Sequence, residues 1–213
     1  MTLKFVSFDG IDGSGKSTQL RLFADFLRST GIEPACFRDP GTTPLGEAVR
    51  EILLHREDIP LAMNAEMLLY MAARAQLVAE QIRPALEEGR TVLCDRFLLA
   101  NVVYQGCGGG LDVESLWRVG EVATGGLRPE LTFVFDVDVD TAMARVGGEQ
   151  DRLEKRGRAF FERLRKGYLV QAPQVGGRVA IINASRSIDR VQEDLRRAWR
   201  EYLDQPPGVS PRS

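Results

Sequence analysis

Short apolar runs recur along the 213 residues, and each is followed by a stretch in which apolar positions return every three or four residues. The runs Leu3–Phe8, Pro34–Arg38, Thr91–Asp95, Leu131–Val137 and Arg178–Asn183 read as five strands. The intervening periodicity predicts helices near 17–30, 44–56, 63–88, 112–124, 139–147, 154–172 and 187–203. Strands that are apolar almost throughout, alternating with helices, predict an α/β fold: a five-stranded parallel sheet with helices on both faces. No linker divides the chain, so a single domain is expected over 1–204. The segment 205–213 has three prolines and nothing to bury, and reads as a flexible tail. Within 63–88, Met67–Ala73 is apolar on every side of the helix. Such a helix is covered on more than one side. This points to a subunit interface, hence a homodimer, with a central core helix as the other reading.

Composition removes several chemistries. Thirty acidic residues against 28 basic ones give a net charge of −2, so no strong field favours nucleic acid or an anionic membrane as a partner. The single histidine, His55, and the widely spaced Cys36, Cys94 and Cys107 exclude a His-rich metal site, a zinc ribbon and a multi-disulfide framework. No basic stretch leads into a long apolar one and no run approaches a membrane span. Unpaired thiols without a CxxC spacing then fit a cytoplasmic protein. Of the 28 basic residues, 24 are Arg and four are Lys.

One of those lysines stands in a specific setting. The first strand ends in Gly10-Ile11-Asp12-Gly13-Ser14-Gly15-Lys16-Ser17-Thr18, a GxxxxGK[ST] run lying between a strand and a helix. Its glycines let successive N–H groups turn inward around phosphate oxygens, and the helix N-terminus adds its positive end. Lys16 becomes the point charge on the transferring phosphates, and the Ser17 hydroxyl a Mg2+ ligand. A guanine-reading N-K-x-D run is absent, which argues against a GTPase. The third strand ends in Asp95-Arg96, at the sheet edge where α/β proteins bind ligands. Asp95 suits Mg2+ and Arg96 a second phosphate, while a structural pair between the two is the plainer alternative.

Taken together, these motifs resemble the thymidylate kinases, the bacterial type of the P-loop nucleoside monophosphate kinases, to about residue 203. FDGIDGSGKST is similar to the family's F-E-G-x-D-G-x-G-K-[ST], and Arg38-Asp-Pro-Gly-Thr-Thr-Pro-Leu-Gly-Glu47 to its R-E-P-G-G-T-x-x-G-E. Tyr70-Met-Ala-Ala-Arg74 resembles the substrate helix, and Asp95-Arg-Phe with Asn101, Tyr104, Gln105 and Gly106 the D-R-[YF]…Y-Q-G stretch. Asp151-Arg-Leu-Glu154 and the helix after it look like the lid, at about 147–158.

The resemblance implies transfer of the ATP γ-phosphoryl group to dTMP, with residues 10–18 around ATP and Ser185 bordering adenine. Asp12, Arg38, Tyr70, Arg74, Arg96, Asn101, Tyr104 and Gln105 are implied to hold dTMP. Tyr70 would stack on thymine, Arg74 and Asn101 would read its O4 and N3 edge, and Tyr104 would crowd the sugar 2′ position. Arg96 would clamp the acceptor phosphate, and Arg152 would reach the ATP phosphates from the lid, completing a catalytic set with Lys16 and Asp12. Without the family, Tyr70 reads as a core residue, Arg74 as a helix-surface charge and Tyr104 as a packing residue. The lid arginines Arg156 and Arg158 read as solvated charges.

The chain departs from the pattern at Asp9, usually Glu; at Thr42, where a second Gly is common; at Ala100, a frequent Ser; at Gly109, where many relatives carry Arg; and at Arg156, often Glu. A nucleotide phosphate is already largely a dianion at pH 7, which accounts for the missing base catalyst. The rival activities are phosphorylation of another pyrimidine monophosphate such as dUMP, and a P-loop ATPase or switch with no metabolite acceptor.

Overall fold

A computed structural model describes residues 4–146 and 156–204 of the chain. Residues 147–155, with Arg152 and most of the lid expected at about 147–158, and residues 205–213, the expected tail, lie outside the described residues. The elements run β1 (Lys4–Gly10), α1 (Lys16–Ser29), β2 (Ala35–Arg38), α2 (Pro44–Leu54), α3 (Met63–Leu77), α4 (Arg83–Glu87), β3 (Thr91–Asp95), α5 (Leu98–Asn101), α6 (Val113–Thr124), β4 (Leu131–Asp136), α7 (Val139–Arg145), α8 (Arg158–Gln171), β5 (Arg178–Asn183) and α9 (Ile188–Asp204). The five strands form one parallel sheet, as the apolar runs predict, and their order in it is β2-β3-β1-β4-β5.

The two faces of β1 separate two packed clusters. Phe8 points toward Phe23 of α1 and Phe133 of β4, with Trp199 of α9 behind them. Phe5 points the opposite way and meets Phe97 edge-on at 4.9 Å between ring centres, in the cluster built with α3, α4 and α5. Alternate residues of a strand face opposite sides, so Ser7 and Asp9 lie on the Phe5 face. Ser7 shares a hydrogen bond with the Thr132 hydroxyl, and Asp9 is fully buried.

Two helical segments differ from the periodicity. The predicted 63–88 helix is broken by one wider turn over Val78–Ile82, where the Arg83 amide bonds back to the Val78 carbonyl. Pro84 explains it: proline has no N–H to donate and its ring crowds the carbonyl four residues earlier. The second difference is a helix where none is expected. Leu98–Asn101 winds on through a wide-turned stretch Val102–Gly108, and residues 98–106 are all buried. Paired valines and four glycines by residue 110 disfavour a helix locally, but packing against α8 outweighs propensity. Gly167 of α8 allows this approach, since a Cβ there would lie 2.7 Å from the Cys107 Cβ. His55 only caps the C-terminal end of α2.

Candidate active site

The carboxyl ends of β1 and β3 meet where the strand order changes direction, the crevice in which open α/β sheets bind ligands. From β1 the chain enters the phosphate loop. Gly13 takes φ +75°, and a Cβ at that position would run into the Ala142 carbonyl. Gly15 caps α1 at φ 87° with no side-chain cap, leaving the first amides of the helix free for an anion. Lys16 lies across the loop, and its Nζ donates to the Ile11 carbonyl at 2.8 Å. Burial, with the nearby Arg96 charge, pushes the Lys16 ammonium down to about 8, although Asp12, Asp95 and Asp9 pull the other way. The Ser17 hydroxyl donates to Asp95 Oδ2 at 2.5 Å.

Arg96 occupies the left-handed region at φ 69°, a strained setting for a residue with a Cβ. Its surroundings hold it there. The Arg96 amide donates to the Phe8 carbonyl at 2.9 Å, and Nη1 donates to the Gly10 carbonyl at 2.8 Å. Nη2 pairs with Asp12, whose other oxygen accepts from the Tyr104 hydroxyl at 2.7 Å. Burial would raise the Asp12 carboxyl, but the Arg96 and Lys16 charges and the Tyr104 bond together hold it below the usual range. Asp95 and Arg96 therefore do not pair with each other; each is committed to the phosphate loop.

Two cavities open here. The larger, of about 680 Å³, is lined by residues 12–19 with Asp95, Arg38, Arg145, Arg186 and Ser187. The smaller is lined by Pro40, Leu54, Tyr70, Arg74, Ala100, Asn101, Tyr104 and Gln105. Asp12, Asp39, Arg50 and Arg96 line both. An anion in the phosphate loop and a second ligand beside Tyr70 would thus meet at Arg96.

Most of the predicted residues converge, with specific differences. Tyr70, Asn101 and Gln105 are buried around the smaller cavity. Arg74 is not a surface charge: it is 1% exposed, and its Nε donates to Asp39 Oδ2 at 2.6 Å. Arg38 is half-exposed, pairs with Glu47 at 3.0 Å and lines the larger cavity only. Gly10 and Ile11 contribute carbonyls to Arg96 and Lys16. Ser185 turns its amide to Asn183 and its hydroxyl to Asp138, while Ala184, Arg186 and Ser187 line the larger cavity. Arg156 is not a solvated charge either, since it pairs with the buried Glu66 at 3.0 Å. Arg158 remains exposed beside Asp140 and Glu162.

Sequence reasoning misses Arg50, Arg145 and Arg186. Nothing in their local pattern separates them from surface arginines. Arg50 stands on α2 just after the Arg38–Glu47 motif, and the proximity of that motif is the one signal that could have found it. Burial and the Arg38 and Arg96 charges lower its ordinary value. Guanidiniums brought that close suit an anionic ligand.

Among the described residues, no group of three or more His, Cys, Asp or Glu could hold a metal ion. Ser17 and Asp95 nevertheless offer two converging oxygens. That donor set fits Mg2+, which takes few protein ligands and completes its shell with water and substrate phosphates.

Residues 8–195 match the family model described as thymidylate kinase. A thymidylate kinase of Symbiobacterium thermophilum is 46% identical over 200 residues, covering 93% of this chain and 94% of that protein. One from Pseudomonas putida is 45% identical over 193 residues, covering 90% and 92%. The crystal structure of thymidylate kinase from Ehrlichia chaffeensis superposes with a TM-score of 0.75 at 28% identity, over 94% of this chain and 100% of that one.

Proposed function

The chain belongs to the thymidylate kinase family, and from that membership we propose how its two joined cavities divide the phosphorylation of dTMP by ATP. The reaction moves the γ-phosphoryl group to an oxygen of the dTMP 5′-phosphate, releasing ADP and forming dTDP. The larger cavity takes ATP along the phosphate loop. The smaller takes the thymine, with Tyr70 against the ring and Arg74 and Asn101 at its polar edge. The observation that carries this assignment is the position of Arg96, on the wall that both cavities share.

No residue needs to act as a base. The acceptor phosphate arrives largely as a dianion and is itself the nucleophile. What remains is to hold two anions in line and offset charge at the transferring group. Lys16 and the loop amides do this on the donor side, and Arg96 does it between the two phosphates. Asp12 pairs with the Arg96 guanidinium, so on binding the acceptor phosphate Arg96 exchanges that partner or shares itself between both. The Asp12–Tyr104 bond keeps the carboxylate beside Arg96 during that exchange. Ser17 and Asp95 would hold Mg2+, which when bound neutralises phosphate charge.

The chain's surface supports a homodimer. Leu68 and Ala72 of α3 are exposed, as is Val122 of the neighbouring α6, and a second copy of the chain would cover them. Free Cys36, Cys94 and Cys107 support a reducing cytoplasm. Among the described residues, no helix is long and apolar enough to cross a membrane.

The test is coupled ADP release across dTMP, dUMP, dCMP and dGMP. We expect dTMP first, with dUMP about fivefold less efficient, because the thymine methyl is one apolar group worth about 1 kcal/mol. ATP hydrolysis unaffected by any monophosphate would replace this reading with an ATPase or switch.

A further inference from the structure

Glu66 lies in the first turn of α3, lines neither cavity, and is 3% exposed. A buried carboxylate needs partners, and this one has two. Arg156, just before α8, donates to its Oε2 at 3.0 Å, and Gln105 Nε2 donates to its Oε1 at 3.0 Å. The bonds continue in one direction. Asn101 Nδ2 donates to Gln105 Oε1 at 2.6 Å, and Arg74 Nη1 donates to Asn101 Oδ1 at 2.9 Å.

The ends of this row decide its direction. A guanidinium only donates and an ionised carboxylate only accepts. Flipping the Asn101 amide would set its NH2 against Arg74 and its oxygen against the Gln105 oxygen. Flipping Gln105 would set its oxygen against Glu66. Arg74 alone fixes which way Asn101 faces, and Glu66 fixes Gln105, whose oxygen holds the Asn101 NH2 in place. Asn101 therefore keeps its carbonyl oxygen beside Arg74, with one lone pair left over, at the polar edge of the smaller cavity. An acceptor next to a guanidinium suits a ring N–H beside a carbonyl, as in thymine and uracil. It opposes cytosine, whose N3 accepts and whose amino group donates.

We infer that Arg156 and Glu66 are positioning residues for the choice of base: their ion pair anchors Gln105, which holds Asn101 in place beside Arg74. The inference rests on the smaller cavity being the dTMP site. A Glu at position 156 would set a second carboxylate against Glu66. Neither residue lines either cavity, so both act through their neighbours.

The experiment compares R156A, R156K, E66Q and N101A with the wild-type chain, in steady state with dTMP, dUMP, dCMP and ATP, with circular dichroism to check folding. R156A should raise the KM for dTMP at least fivefold and narrow the dTMP-to-dCMP ratio of kcat/KM at least fivefold. The KM for ATP should stay within twofold. E66Q should do the same, since a neutral amide loses the ion pair that anchors Gln105, and R156K should recover most of the discrimination. Should R156A fail to fold, E66Q and R156K carry the comparison. If the folded R156A or E66Q keeps both dTMP quantities within twofold of wild type while N101A alters them, the positioning role is overturned and the pair is only structural. If N101A alters neither, it is the assignment of the smaller cavity to dTMP that fails.

Discussion

Asp9, near the end of β1, combines a charge with a setting that does not want one. Both carboxylate oxygens are buried and make no hydrogen bond among the described residues. Ser7 and the Phe97 amide come near enough to offset part of the burial, without the geometry of a bond. Arg96 and Lys16 act from further off. Burial wins, and the carboxyl is raised from 3.8 to about 6. The adjoining gap, of about 10 Å³, leaves room for one water at most. Folding therefore favours the protonated form. The stability this confers is fully present below pH 3.8, and it is lost as pH rises through about 6.

Over the whole range the loss amounts to about 3 kcal/mol, at roughly 1.36 kcal/mol per pH unit between the two values. Asp9→Asn keeps the shape and removes the charge, so it isolates this contribution. Relative to wild type, the variant should gain about 2 kcal/mol of stability between pH 4.5 and 7.5, or roughly 4–8 °C in Tm. Urea unfolding of both proteins at the two pH values, followed by far-UV circular dichroism, measures that difference. A gap between variant and wild type that stays constant within about 0.5 kcal/mol would refute the reasoning, because Asp9 would then not titrate on folding.

Two further outcomes follow from the site and the surface. Arg96→Ala should lower kcat/KM for dTMP at least tenfold, since a charge-assisted pair is worth about 1.5–3 kcal/mol; near-wild-type efficiency would remove Arg96 from the reaction. For the proposed homodimer, Leu68→Asp, at a position 53% exposed on α3, should shift the chain from dimer to monomer in light scattering. An unchanged dimer would place the interface elsewhere.

Much of the framework is legible in the sequence because it depends on short-range pattern. Each β-strand is an apolar run, and the phosphate loop needs glycines at fixed spacing between a strand and a helix. Asp95 and Arg96 stand at the sheet edge because β3 ends there. The 98–108 helix escapes detection because its valines and glycines argue against it locally, and only α8 pressing on it reverses that balance. Arg156 looks like a solvated charge for a similar reason. Its partner Glu66 is 90 residues away, and no local pattern announces the pair.

The sequence by itself settles the five strands, the phosphate loop and, through joint motif spacing, the family. Those follow from properties each segment carries alone: period, glycine placement and charge type. The tertiary structure decides which arginines matter. Arg50 and Arg96 come to the wall between two cavities, Arg74 is buried against Asp39, and Arg156 holds Glu66, while Arg158 stays in solvent. An arginine's role depends on the carboxylates and carbonyls that the fold brings to it. Likewise, Asp9 becomes a disfavoured charge only when the sheet and α5 close over it and leave its oxygens without a hydrogen bond among the described residues.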